Sequence, residues 1–366
     1  MILMNDFKAE PEELVQKELA AVERVLRSGW FILGKEVKDF ESSWAARCGA
    51  KHAVGVGNGM DAIEIGLRTL GIGRGDEVIT TPMTAFATVL AIIRAGATPV
   101  LADIDPETAL LDPDSVERCL SPRTRAVLLV HLYGQVRAME RWTGLCGRSN
   151  IIYLLEDCAQ SHAAAWQGKV AGTFGAWGAY SYYPTKNLGA IGDGGAIVTD
   201  SEKIADKARV LRNYGQSQRY HHPELGLNSR LDELQAAILS ARLGWLDAYT
   251  RRRKEIAKAY LNGIRNPLIY TMARPLEKDS HVYHLFVVRC DERDRLAGHL
   301  QERGVSSLIH YPIPVHHQKP CTGIKIDPQG LKHAEQHAAQ CLSIPCHPQM
   351  GDNDVSKVIE AINEFK

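Results

Sequence analysis

The chain has 366 residues and a mass of 40.4 kDa, which is enough for two domains with substantial cores and too much for a small binding module. Its 43 Lys and Arg residues balance 43 Asp and Glu residues, so no overall field attracts nucleic acid or anionic lipid, and an anionic ligand needs a local site. Eight scattered cysteines, an acidic N-terminal region and apolar runs far below the roughly 20 residues of a membrane span predict a cytoplasmic protein without membrane or nucleic-acid partners.

The segment from Lys51 to Asp200 alternates short β-branched runs with amphipathic stretches, which predicts a mainly parallel sheet built from strand–helix–strand units. Helices are predicted over residues 60–71 and 84–96, because apolar residues recur there at three- and four-residue spacing and the ends carry glycine. A further strand over Ala176–Tyr183 need not run parallel to the others. The six other predicted strands are HAVGVGN, DEVITTP, TPVLADI, TRAVLLVHLYG, NIIYLLED and GGAIVTD.

The pattern changes after Ser229. Residues 231–264 favour helix throughout and contain no proline, which predicts one long helix that leaves the first domain. A strand-like stretch over 281–290 and helix-like stretches over 293–304 and 354–365 then predict a smaller α+β unit. We therefore expect a large α/β domain with an N-terminal arm over residues 1–243 and a small C-terminal α+β domain over 244–366.

A glycine turn near the first strand is a candidate anion site. The strand ends at Val56, and the turn Gly57-Asn58-Gly59 opens a helix, whose unpaired N–H groups and positive end suit a phosphate. The turn has neither the G-x-G-x-x-G spacing of dinucleotide-binding proteins nor a G-K-[ST] phosphate loop. An ordinary glycine turn remains the alternative.

An acidic residue and a lysine are the next candidates. Asp157 ends an apolar strand in LLEDCAQSH, at the edge where an open α/β sheet binds its ligands, although an Asp in this place can also cap a helix. Lys186 follows the aromatic-proline turn of YSYYPTKNLGAIGDGG. Most lysines are solvated surface residues, but this setting suits an amine that loses its proton and attacks a carbonyl.

A phosphate cradle, a carboxylate and a lysine in this order are typical of pyridoxal-phosphate enzymes of the aspartate aminotransferase fold. The cofactor needs an anion site, an acid beside its ring nitrogen, and a lysine that holds its aldehyde as a Schiff base. Phe86, at the start of a predicted helix, is placed to stack on the pyridine ring, with core packing as its alternative.

The chain resembles the DegT/DnrJ/EryC1/StrS family of sugar aminotransferases. The resemblance rests on GWFILGKEVKDFE, GVGNGMDAIEI, TAFATVLAI, VHLYGQ, EDCAQSH, YYPTKNLGAIGDGGA, LNSRLDELQAA and HYPIP, which follow the family's order over nearly the whole chain. It implies a homodimer with its active site at the subunit interface, and pyridoxal 5′-phosphate that alternates with pyridoxamine 5′-phosphate. The implied cofactor contacts are Lys186 on the aldehyde, Asp157 on the ring nitrogen, Gln160 on the ring hydroxyl, Phe86 in stacking, Gly59, Met60 and Ser181 on the phosphate, and Asn228 on the partner's phosphate.

The same resemblance implies a substrate class. Tyr183-Pro184 before the lysine and the GDGG sequence after it look like members that move an amino group from L-glutamate to C3 of a dTDP-linked 3-keto-6-deoxyhexose. Amination at C4 of a nucleotide sugar and a cofactor-binding regulator without turnover remain alternatives. Met60, where the family usually has threonine, and Ala163, where it has glycine, are departures. The candidate substrate contacts are Tyr183, Arg219, Tyr220, His310 and Tyr311.

A metal site, a catalytic thiol and a nicotinamide oxidoreductase are alternative interpretations with less support in the sequence. The histidine-rich stretches His221-His222, His316-His317 and Cys346-His347 lack the spaced ligand pairs of a structural zinc site, so no metal is expected. A catalytic thiol at Cys158 has no evident group to lower its pKa. A nicotinamide oxidoreductase would need the missing glycine spacing.

Overall fold

The computed structural model describes residues 1–148 and 152–366, and the first residues of the predicted strand NIIYLLED, 150–151, lie outside the described residues. The α-helices are α1 Glu12–Ser28, α2 Lys35–Cys48, α3 Gly59–Thr69, α4 Phe86–Arg94, α5 Pro113–Cys119, α6 Met139–Gly147, α7 Glu202–Leu211, α8 Glu233–Leu243, α9 Leu246–Gly263, α10 Arg293–Glu302, α11 Lys332–Gln340 and α12 Asp352–Asn363. Short 3-10 helices lie at Phe7–Ala9, Leu132–Gly134, Val315–His317 and Lys319–Cys321.

The strands are β1 His52–Val56, β2 Glu77–Thr80, β3 Thr98–Leu101, β4 Thr124–Val130, β5 Tyr153–Asp157, β6 Ala165–Trp166, β7 Lys169–Val170, β8 Gly178–Ser181, β9 Gly195–Thr199, β10 Tyr270–Thr271, β11 Phe286–Arg289, β12 Lys325–Ile326 and β13 Cys341–Ile344. The large sheet has the order β1-β9-β8-β5-β4-β2-β3-β12. Among the described strands of this large sheet, β9 runs antiparallel to both of its neighbours and all other pairs are parallel, so the predicted α/β class is confirmed.

The large sheet is covered on both faces, as its apolar strands require. One core cluster packs Trp44, Leu154, Tyr180 and Leu239 on one side, and another packs helix α3 through Ile65 on the other. Parallel strands buried on both faces direct their carboxyl ends to one edge, where ligands bind in open α/β sheets. This edge is therefore where the predicted site residues of β5 and β8 meet.

The C-terminal part has its own antiparallel sheet of β10, β11 and β13, packed on α9, α10 and α12. The division at 243/244 stays a prediction; that position falls between α8 and α9. Strand β12 pairs with β3 of the large sheet, so the chain returns to the first sheet well beyond that position. Of the helices within residues 1–148 and 152–366, none combines the length and the apolar character that crossing a bilayer requires.

The predicted single helix over 231–264 is wrong. The chain forms two helices, α8 and α9, with Gly244 and Trp245 between them. Helix α8 buries Leu239 in the core of the large sheet, whereas α9 buries Ile256 in the C-terminal core. Because the two helices serve different cores, the packing overrides a sequence that favours continuous helix. The strand predicted over 281–290 is also shorter and covers only β11.

Candidate active site

Asp157 lies at the end of β5 and is 6% exposed. One carboxylate oxygen accepts a hydrogen bond from the Thr88 hydroxyl of α4 at 2.8 Å, and the other accepts one from the Ala159 backbone N–H at 3.0 Å. Burial raises the pKa of the Asp157 carboxyl, while these hydrogen bonds and the positive charge of Lys186 act in the opposite direction. The carboxylate therefore has fixed donors on one side and a cation nearby, as a group that pairs with a buried charged ligand requires.

Lys186 lies in the turn after β8, and its side chain is half-buried. Its backbone N–H donates to the Tyr183 carbonyl at 2.8 Å, which closes the turn. Burial lowers the pKa of the Lys186 ammonium to about 8, and the charge of Asp157 opposes this shift. A sizeable fraction of neutral amine is thus present near pH 8, and a neutral amine is what attack on an aldehyde requires.

Hydrogen bonds from the neighbouring residue hold this turn in place. Asn187 donates from its side-chain amide to the Val282 carbonyl at 3.1 Å, and its amide oxygen lies 3.2 Å from His284 Nδ1. The turn also needs Gly189, because a Cβ there would lie 2.4 Å from the Pro184 carbonyl oxygen. The lysine is therefore positioned by contacts that reach across to the 282–284 segment.

The residues of the predicted phosphate cradle lie where α3 begins. Asn58 caps the helix, its side-chain oxygen accepting from the Asp61 N–H at 2.8 Å, while the first-turn N–H groups of Gly59 and Met60 have no intrahelical acceptor. A Cβ on Gly59 would lie 2.6 Å from the Ser181 Cβ, so glycine is what allows the end of β8 to approach the helix. Backbone donors, a helix end and a hydroxyl meet here, which suits a phosphate.

Gln160 lies near Tyr311 and His310 of the C-terminal part, on the side of the candidate site that faces Lys186. The Gln160 side-chain oxygen accepts from the Tyr133 N–H at 2.6 Å, and its amide nitrogen donates to the Tyr311 hydroxyl at 3.2 Å. His310 places its Nδ1 2.8 Å from the Ser343 hydroxyl, and burial together with the charge of Lys186 lowers its pKa to about 4. Phe86 is the first residue of α4 and packs, half-buried, in the apolar cluster that includes Tyr311.

The remaining predicted contacts lie apart from this cluster. Residues 217–225 are all exposed, and they include Arg219, whose guanidinium lies 5.1 Å from the Tyr220 ring. Asn228 is exposed too, while the next residue, Ser229, accepts a hydrogen bond from the Gly57 N–H at 3.0 Å. Tyr183 is 53% exposed. Within one chain, these side chains complete no contact with Asp157 or Lys186.

Sequence reasoning missed several residues of the site. Thr88 is unremarkable in a helical pattern, and only the fold brings it to Asp157. Tyr133 and His284 act through contacts with Gln160 and Asn187 that no local motif indicates. Cys158 is fully buried, and its pKa is raised well above the usual range by burial, so the structure offers no thiolate there.

Three comparisons with known proteins show what the whole chain is similar to. A model of the DegT/DnrJ/EryC1/StrS aminotransferase family matches residues 12–363. The dTDP-3-amino-3,4,6-trideoxy-alpha-D-glucose transaminase of Streptomyces venezuelae is 45% identical over 98% of this chain and 95% of its own. The pleiotropic regulatory protein of Geobacillus stearothermophilus is 42% identical over 99% and 98%. The crystal structure of Streptomyces venezuelae DesV in complex with a ketimine intermediate superposes with a TM-score of 0.95 at 44% identity, over 99% and 98% of the two chains.

Proposed function

The chain belongs to the DegT/DnrJ/EryC1/StrS aminotransferase family, and from that premise we propose that it uses pyridoxal 5′-phosphate to transfer an amino group from L-glutamate to a nucleotide-linked keto-sugar. The acceptor is a dTDP-linked 3-keto-6-deoxyhexose, and the product is a 3-amino-3,6-dideoxyhexose. The Streptomyces venezuelae relative, whose name specifies a 3-amino dTDP-sugar, supports this choice. The observation that carries the proposal is that the buried Asp157 of β5 pairs with Ala179 of β8, the strand that leads directly into the turn of Lys186.

The residues present fit the cofactor. Gly59 has no side chain, and a Cβ there would collide with Ser181. The backbone N–H groups at the start of α3 therefore stay open next to Ser181, as a phosphate site requires. Asp157 would hold the protonated ring nitrogen, Gln160 the ring hydroxyl, and Phe86 the face of the ring. Lys186 would hold the aldehyde. The cofactor supplies an electron sink for the electrons released when a proton leaves the substrate carbon.

The roles of the chain's own side chains follow from their environments. Lys186, once free, has a pKa lowered to about 8, so it can accept the proton from the substrate carbon and return it near neutral pH. Thr88 and the Ala159 N–H keep the Asp157 carboxylate oriented. A hydrogen bond between Gln160 and Tyr311 links the C-terminal part to the site.

The test is a product assay on the purified protein. Incubation with L-glutamate and either a dTDP-3-keto- or a dTDP-4-keto-6-deoxyhexose, followed by mass spectrometry, should give an amino sugar from the 3-keto substrate only. The matched control is Lys186→Ala, which should give none. Amination of the 4-keto substrate alone would support the C4 alternative. A protein that binds the cofactor, as judged by absorbance before and after borohydride, yet aminates neither sugar would support the regulator.

A further inference from the structure

A second cluster of ligating side chains lies outside the active site. His316 and His317 belong to the 3-10 helix Val315–His317, and Glu335 belongs to α11. One donor atom from each of the three lies within 4.8 Å of the other two. The His316 Nε2 atom is 3.1 Å from the Glu335 Oε1 atom, and the His317 Nε2 atom is 3.6 Å from the same oxygen.

The two nitrogen–oxygen distances fit ligands that share one metal ion. Ligands about 2.0–2.1 Å from a tetrahedral ion are roughly 3.3 Å apart, and the two nitrogen–oxygen distances lie on either side of that value. A hydrogen bond accounts for the contact of His316, but a separation of 3.6 Å is too long for His317. An ion at the centre would account for the convergence of both rings on one oxygen.

The cluster also has the accessibility that a metal site needs. The side chains of His317 and Glu335 are 54% and 49% exposed, so an ion can enter and water can complete its coordination. The side chain of His316 is only 8% exposed, which fixes one ligand in place before the ion arrives. Two imidazoles and a carboxylate are ligands that Zn²⁺ and related first-row ions accept.

We propose that His316, His317 and Glu335 bind one divalent transition-metal ion, with Zn²⁺ as the probe and water in the remaining position. Adjacent histidines alone do not indicate such a site, because the third ligand is 18 residues further along the chain. The fold brings it there through the packing of Ala334, the neighbour of Glu335, into the apolar cluster that also contains Val315. The ion would add a link between the 3-10 helix and α11.

Among the described residues, the side chains of His131, Glu156 and Cys158 also converge, but they take part in the hydrogen bonding of the buried core. The oxygens of Glu156 accept hydrogen bonds from three backbone N–H groups within residues 172–175, and its Oε2 atom lies 2.9 Å from His131 Nε2. All three side chains are buried beneath the strand end that carries Asp157. The Glu156 carboxylate therefore already has hydrogen-bond partners within the chain, and we propose no metal at this cluster.

The site would lie next to elements of the active site. Val315 donates its N–H to the Pro82 carbonyl at 3.0 Å, and Tyr311, four residues earlier, contacts Gln160. Helix α11 also carries His337, whose Nε2 lies 2.9 Å from the Tyr133 hydroxyl. A bound ion would thus brace two elements that hold the C-terminal part against the cofactor site, and it would raise the thermal stability of the whole protein.

Calorimetric titration of the cofactor-loaded protein with ZnCl₂, after treatment with a chelator and its removal, tests the proposal. We expect one ion per chain, and an affinity at least about tenfold weaker in His317→Ala and in Glu335→Gln. The control is His221→Ala, which removes one member of an exposed adjacent histidine pair elsewhere in the chain. The absorption spectrum of bound Co²⁺ should indicate four-coordination in the wild type and change in both cluster variants.

Melting temperatures of the metal-free variants check that each is folded, and both substitutions are at exposed positions where folding should be maintained. The proposal is overturned if no Zn²⁺ binds, or if the wild type, His317→Ala and Glu335→Gln bind it equally well. A loss of affinity confined to His221→Ala would place the ion at the other histidine pair and would also overturn it.

Discussion

Two regions that carry predicted site residues differ in how complete their contacts are. Asp157 and Lys186 are held by donors, acceptors and charges of the same chain, at the ends of buried strands. Residues 217–225, with Arg219 and Tyr220, and Asn228 beyond them are exposed and touch neither of the two. The side chains of the first region have their contacts within one chain, whereas the exposed side chains of the second make no contact with Asp157 or Lys186 there. We therefore expect the two regions to fail in different ways when they are altered.

The largest effect is expected at Lys186. The variant Lys186→Ala should still bind the cofactor through the cradle and Asp157, but it should lose turnover by at least about a thousandfold, because the amine proposed to move the proton is removed. Loss of the covalent attachment, read as the absence of a borohydride-trapped cofactor, is the independent measurement. A variant with near wild-type turnover would show that Lys186 is an ordinary half-buried lysine.

A second effect of the same residue is on stability. The folded-state pKa of Lys186 is about 8 against an ordinary 10.5, so the charged amine lowers the free energy of unfolding. This destabilisation is complete below pH 8 and disappears as the pH rises towards 10.5. The cofactor-free variant Lys186→Met should therefore have a larger free energy of unfolding than the wild type at pH 7, by at most about 3 kcal/mol. Solvent reaches part of this half-buried side chain, so a smaller value is expected.

Chemical denaturation of the two cofactor-free proteins at pH 7 and at pH 10 measures this difference. Other groups that titrate over the same range do so in both proteins and cancel in the comparison. A difference that stays constant between the two pH values would contradict the lowered pKa.

The third effect concerns Thr88, which acts on Asp157 as a positioning residue. Thr88→Val removes the hydroxyl that donates to the carboxylate while it keeps the shape of the side chain, and Thr88→Ser retains the hydroxyl. A hydrogen bond to a charged group contributes about 1.5–3 kcal/mol, so Thr88→Val should weaken cofactor binding roughly 10- to 100-fold. Cofactor dissociation constants measured by absorbance, together with the pH at which the bound cofactor's spectrum changes, are the readouts. Equal values for Thr88→Val and the wild type would give Thr88 a packing role only.

The buried region was predictable from sequence to the extent that local patterns determine it. An apolar strand that ends in Asp157 and a glycine turn before α3 indicate groups at the ligand-binding edge of a parallel sheet. Thr88 was not predictable, because a threonine within a helical pattern carries no signal of its partner 69 residues away. The break between α8 and α9 was missed for a similar reason, since it depends on which core each helix faces.

The exposed region was identified only through the resemblance to a family, because its loop sequence has no periodicity that indicates a contact. Arg219 and Tyr220 neighbour each other but form no site within the chain. Their assignment to the substrate stays a prediction, and so does that of Asn228 to the phosphate of the neighbouring subunit's cofactor. The same limit applies to Glu335, whose approach to two histidines follows from tertiary packing alone.

The smallest effect is expected at Asn228. It tests whether the exposed region of one subunit completes the site of the other. Loss of one hydrogen bond to a phosphate in Asn228→Ala should weaken cofactor binding about tenfold. In a mixed dimer of Lys186→Ala and Asn228→Ala, the site with an intact lysine receives the partner's intact asparagine if Asn228 acts across the interface. Mixing the two variants should then restore activity at limiting cofactor, whereas mixing Lys186→Ala with wild type controls for subunit exchange. If Asn228 acts in its own chain, no mixed site has both residues and the mixture stays as impaired as its components.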